Sequence, residues 1–147
     1  AELYRSLLGR QIEVGADGMP APWSPPIPTA IEKRALLKAA VAARRWLVEE
    51  GGITLPNGTP VRTAKADQDR ITSVLVNAPN AGITSFDFKG EGGWVTMTLD
   101  ELKGISAAIG IHVQSCFTAE RAHFSAIDEL PDDELDGYDT QTGWPEP

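Results

Sequence analysis

The sequence predicts an α+β domain in which three helices pack on one face of a small antiparallel sheet built from two hairpins, in the order α-ββ-α-ββ-α. Three observations predict it. Three stretches carry apolar residues at helical spacing, two of them opened by a threonine suited to capping. Between them lie two β-prone pairs, one joined by Asn57-Gly58 and one by Gly90, Gly92 and Gly93. The 147 residues, 41% hydrophobic and 23% charged, have the composition of a single globular domain rather than a disordered chain.

Each element has a local reason. Leu3 to Val14 reads as a short strand or helical turn, with Ile12 and Val14 alternating against Gln11 and Glu13. Gly15 to Gly18 breaks it, and Pro20, Pro22, Pro25, Pro26 and Pro28 impose an extended, polyproline-like segment around Trp23. The overlapping PxxP spacings fit a ligand of a proline-reading module, but the simpler reading is a stiff linker. Thr29 caps a helix that runs to Glu50 with Glu32 in its first turn, and Gly51-Gly52 ends it. Its apolar face is predicted to hold Leu36, Leu37, Ala40, Val41, Leu47 and Val48, with Arg44 inside that face. A tight hairpin at Asn57-Gly58 follows, because both residues tolerate positive φ.

The second helix is predicted over Lys65–Asn77, burying Ile71, Val74, Leu75 and Ala78, with Pro79 as its stop. Ile83 to Lys89 and Trp94 to Met97 form the second hairpin. The last helix opens on a Thr98/Glu101 capping box and continues to about Ile127, ahead of Pro131. Leu102, Ile105, Ile109, Val113, Cys116, Phe124 and Ile127 form its stripe, and Glu120 lies in the middle of it. A carboxylate there needs a partner. Arg44 on the first helix is predicted to meet Glu120 where the two helices cross, the pair specifying register more than adding stability.

Charge divides the chain further. From Asp128 onward there are eight acids and no Lys or Arg, so residues 1–127 hold 13 acids against 13 bases. This implies an extended Pro-rich arm (1–30), an α+β core (31–127) and an acidic tail (128–147). The tail also carries Leu130, Leu135, Tyr138 and Trp144, which mere solvation does not require. Trp23, Pro25 and Pro26 in the arm, and Leu135, Tyr138 and Trp144 in the tail, are therefore the expected partner-binding residues. On this reading, deleting residues 132–147 leaves the core folded. No basic stripe is present to neutralise phosphates, which disfavours nucleic acid. The longest apolar stretch, Ile105 to Val113, is too short for a bilayer, and no export signal is visible.

Site chemistry is sparse. His112, Cys116 and Glu120 fall at i, i+4 and i+8, with His123 near the same flank, a spacing that can hold zinc or build a Cys–His nucleophile. Against that, Cys116 sits on the apolar stripe, where a free cysteine behaves as a small hydrophobe, and no further Cys or His exists to complete a ligand set. GxSxG, HExxH, Walker and EF-hand spacings are missing. The expectation is a protein without catalytic residues, metal or cofactor.

Two blocks of residues follow one another in a recognisable order. Arg44 to Glu50, Gly51-Gly52-Ile53, Asn57-Gly58, Val61-Arg62-Thr63 and Gln68 to Ile71 form the first. Trp94, Leu99 to Leu102, His112-Val113-Gln114, Phe117, Glu120 and Ile127 form the second. Together they resemble a domain of unknown function found in bacteriophage and prophage proteins, often encoded near tail and tail-fibre genes, over about residues 31–127. The resemblance carries over no catalytic residue. It implies a minor tail, baseplate or fibre-associated virion protein, assembled in the host cytoplasm. Other tail proteins, or a second copy of the chain, would be its partners. A fibre-assembly chaperone absent from the virion is the alternative, and a metal- or thiol-dependent enzyme using His112, Cys116 and Glu120 a second.

Overall fold

The computed structural model describes residues 11–23, 25–90 and 93–147. Its helices are α1 (Ala30–Glu50), α2 (Lys65–Ala81) and α3 (Leu99–Glu129). Three antiparallel hairpins accompany them: β1 (Ile12–Val14) with β2 (Pro20–Pro22), β3 (Ile53–Thr54) with β4 (Pro60–Val61), and β5 (Ser85–Gly90) with β6 (Gly93–Thr98). The order from α1 onward is the predicted one. The two core hairpins, however, remain separate two-stranded ribbons. In β4, Pro60 faces Thr54 and has no N–H to extend a ladder.

The arm makes the third ribbon. Gly18 takes φ 78° and its N–H donates to the Gly15 carbonyl, so the chain reverses and Ile12 faces Pro22. Ile12–Val14 is thus a strand, while the expected strand or turn from Leu3 to Arg10 lies outside the described residues.

Both long helices start on capping boxes. The Thr29 and Thr98 side chains accept from the backbone N–H of Glu32 and Glu101, and each glutamate accepts from its threonine at 2.7 Å. These hydrogen bonds, backbone first, hold Glu32 and Glu101 below the ordinary glutamate range. α2 runs two residues past Pro79. Within the last turn a proline removes only one intrahelical bond, and Gly82 at φ 68° closes the end by donating to Ala78 and Pro79.

The core gathers Ile53, Ile71, Leu102 and Ile109, with Phe86, Phe88 and Met97 of the long hairpin packed beside them. A second seam joins α1 to α3 through Val41, Cys116 and Ile127, all fully buried. Here the packing differs from the periodicity. Leu36 and Leu47 are each 63% exposed, because α1 meets a single helix and the inward face centres on Arg34, Val41, Arg45 and Val48. That is close to one residue's rotation, about 100°, from the predicted arc.

The acidic tail is not detached. Residues 128–129 complete α3, and a 3₁₀ turn at Leu135–Gly137 returns the chain to α1 with Leu135 only 1% exposed. Lys38, Arg34 and Lys33 of α1 pair with Asp128, Asp132 and Asp136 at 2.6, 2.7 and 2.6 Å. α3 thus runs two residues past the expected boundary at 127, and the segment beyond it packs on α1. The chain beyond α3 has its own apolar anchor, and acids spaced four apart find bases along one helix. Among the described residues no helix is long and apolar enough to cross a membrane.

Two outcomes follow. Leu135→Ala should destabilise the protein by about 2–4 kcal/mol in urea unfolding, and deletion of 132–147 should destabilise rather than spare the core. The depressed capping glutamates contribute stability that is fully present above the unfolded value of about 4.3 and lost as pH falls through their lower folded values. Thermal midpoints of Glu32→Gln and Glu101→Gln should therefore depend less on pH across the acid range than those of the parent.

Candidate functional site

Where α1 crosses α3, apolar packing brings a small polar cluster together. Arg45 is central. Its Nε lies 3.0 Å from Glu120 Oε2, its Nη1 meets Glu49 Oε2, and its guanidinium carbon stands 4.5 Å from the centroid of the Phe117 ring. The Glu120 contact is a charge pair rather than an aligned hydrogen bond, since the Arg45 N–H does not point along it. Both side chains are mostly buried, at 15% and 16% exposure. One cation thus holds two carboxylates that would otherwise repel each other.

Glu120 therefore finds an arginine on α1, as the sequence requires, but not Arg44. The rotation of α1 places Arg45 on the seam and Arg44 beside it, with the Arg44 Nε buried and unpaired among the described residues. The missed signal was the i, i+4, i+7 series Val41, Arg45, Val48 with Glu49 four residues beyond Arg45.

His112 and Cys116 lie two turns and one turn N-terminal to Glu120. His112 Nε2 is 3.0 Å from the Val48 carbonyl and 3.7 Å from Cys116 Sγ. A carbonyl only accepts, so Nε2 carries the proton and donates. That nitrogen cannot remove a proton from the thiol. Burial, followed by the Glu49 carboxylate, pushes the Cys116 thiol above its usual range, against the weaker opposite pull of Arg45. His112, Cys116 and Glu120 share a helix face, but Glu120 is held by Arg45 and His112 by Val48. Among the described residues no group of three His, Cys, Asp or Glu side chains is placed to hold a metal ion.

A second cluster secures the tail. The His123 ring stacks on Trp144 at 5.0 Å between centroids and meets Tyr138 edge-on at 5.7 Å. Its Nε2 donates to the Thr142 carbonyl at 3.0 Å, and its Nδ1 accepts from the Tyr138 hydroxyl at 2.7 Å. Burial raises the Tyr138 phenol above its ordinary range, with Asp139 adding to the effect. Arg34 donates to the carbonyls of Ile127 and Leu130 at 3.2 and 2.6 Å, a cation from another helix at the open C-terminus of α3. Of the residues expected to face a partner, Leu135 is buried within the chain itself, and Tyr138 and Trp144 are half-buried around His123. Trp23 is 43% exposed and Pro25 and Pro26 are exposed, so the arm presents all three of its candidate residues to solvent.

Residues 32–141 match the family described as a domain of unknown function, DUF4376. The chain belongs to this family. No curated protein and no solved structure matches it. The DUF4376 match continues 14 residues past the predicted core boundary at 127, through Leu135 and Tyr138, the stretch that the structure ties to α1 and α3. Trp144 and the arm lie beyond it.

Arg45→Met should cost about 3 kcal/mol in chemical unfolding and Glu120→Gln less, because removing the arginine strands two carboxylates. Combining Arg45→Met with Glu49→Gln and Glu120→Leu should recover most of the loss. Cys116 in the native protein should react with iodoacetamide at least about tenfold more slowly than after unfolding, as its burial and raised thiol predict.

Proposed function

We propose that this DUF4376 protein is a non-enzymatic component of a bacteriophage tail, a minor tail, baseplate or fibre-associated part. It is assembled in the host cytoplasm and docks on neighbouring subunits through its N-terminal arm. The resemblance to domains of phage tail regions supplies the context. The observation that carries the docking reading is the arm's surface: Val14 (80% exposed) and Met19 in the short proline-edged ribbon, and Trp23 and Ile27 (87%) after it, are exposed apolar side chains. Scattered exposed apolar residues are ordinary, but several along one stiff segment are the usual mark of a contact surface. Tryptophan in such a segment adds large contact area at low entropic cost.

The chemistry-bearing groups support the non-enzymatic part of the reading. A thiol–imidazole nucleophile needs the imidazole nitrogen to accept the thiol proton, and the nitrogen nearest Cys116 donates to Val48 instead. The tail, having folded onto α1 and α3, plays no part in the docking proposed here.

Quantitative mass spectrometry of purified particles tests this. A fixed copy number is expected, and Trp23→Ala with Ile27→Ser should reduce incorporation several-fold while the circular dichroism spectrum stays unchanged. Absence from mature particles, with recovery on fibre precursors, would assign the protein to fibre assembly instead. Undiminished incorporation of the double variant would remove the arm from the docking surface.

A further inference from the structure

Among the described residues, one opening reaches the core beside the long hairpin. Between the β3–β4 hairpin, α2, the β5–β6 hairpin and the start of α3 lies a cavity of about 220 Å³ whose walls include Val61, Ile71, Phe88, Met97, Leu102 and Ile105. Ile71 and Leu102 are buried core residues, so the opening reaches the core itself. An apolar cavity of about 150 Å³ is enough to take a benzene ring, so this one has room for a single aromatic side chain.

Its rim is charged in a particular way. Among the described residues, Arg62, Arg70 and Lys89 surround it with Asp67 as the one carboxylate, although the chain as a whole carries −8. Arg62 Nε lies 3.4 Å and Arg70 Nη1 3.1 Å from the two Asp67 oxygens. Asp67 thus sits between two largely exposed guanidiniums at the mouth and leaves most of the five N–H donors of each for another acceptor. Beyond Phe88 the surface continues as a shallow hollow of about 500 Å³ along Val74, Phe86 and Trp94. Asp87 belongs to this hollow, its Oδ1 accepting from the Thr96 hydroxyl at 2.7 Å, so the anion-attracting end is the one at Arg62 and Arg70.

We propose that this socket binds an acidic peptide segment of a partner protein, with one aromatic side chain in the cavity and an adjoining carboxylate on Arg62 and Arg70. The ring-sized cavity sets the anchor, the excess of cations sets the sign of the flanking charge, and the hollow along Phe86 and Trp94 favours an extended segment over a compact small molecule. The socket is built from elements other than the arm. Its test uses the isolated full chain, so it stands or falls separately from the location of the protein in a particle.

The full-length protein with isotope-labelled methyl groups is titrated with the peptide acetyl-Asp-Glu-Phe-Asp-Glu-amide, and with its counterpart in which lysines replace the acids. Saturable shifts of the Val61, Ile71, Met97, Leu102 and Ile105 methyls are expected with the acidic peptide only. Arg70→Glu should weaken binding about tenfold or more, since it removes a charge-assisted contact. Arg121→Glu, the same charge change at an exposed position outside the socket, should leave it unaltered. No saturable shift, equal binding of the basic peptide, or equal weakening by the two variants overturns the proposal. Phenylacetate binding as tightly as the peptide overturns the peptide assignment in favour of a small ligand.

Discussion

The helical seam between α1 and α3 depends on two arginines eleven residues apart on one face of α1. Arg34 closes the C-terminus of α3 by donating to Ile127 and Leu130, and Arg45 gathers Glu49 and Glu120 three turns further along. Between them Val41 and Ile127 are fully buried. Apolar burial supplies the attraction, at roughly 25 cal/mol per Å² removed from water. The arginines favour this rotation and register, because it gives Glu120 and the open end of α3 a cation each.

The tail is explained by the same seam. Its three ion pairs with α1 look dominant, yet their carboxylates are 58–74% exposed, and such pairs contribute about 0–1 kcal/mol each. Burying the Leu135 side chain is worth about 2 kcal/mol by itself, and the stacking of Trp144 on His123 adds an aromatic contact further along. The leucine and the aromatic ring therefore hold the tail, and the charges align it. Acidity at the end of the chain is matched by Lys33, Arg34 and Lys38 on the neighbouring helix.

The same logic assigns the histidines. His112 and His123 each use both the apolar and the polar character of the ring, one tying α3 to α1 at Val48, the other tying the tail to α3 at Thr142 and Tyr138. Both join elements distant in sequence. Neither histidine contact covers the apolar residues of the arm or the cation-rimmed socket beside Phe88.

Local signals were legible in the residues themselves. Thr29 and Thr98 cap their helices, the β3–β4 hairpin turns through Asn57-Gly58 in a five-residue loop with only Gly58 at positive φ (82°), and the order of helices and hairpins follows. Each of these depends on groups within about four residues of one another. The face that α1 turns inward, the choice of Arg45 over Arg44, the separation of the two core hairpins and the return of the tail were decided only by tertiary packing. An apolar arc broader than one partner helix can be covered in more than one rotation. A row of acids is a solvated tail or a strap according to whether bases and an apolar hollow stand opposite it, and that is settled by residues some ninety positions away in the chain.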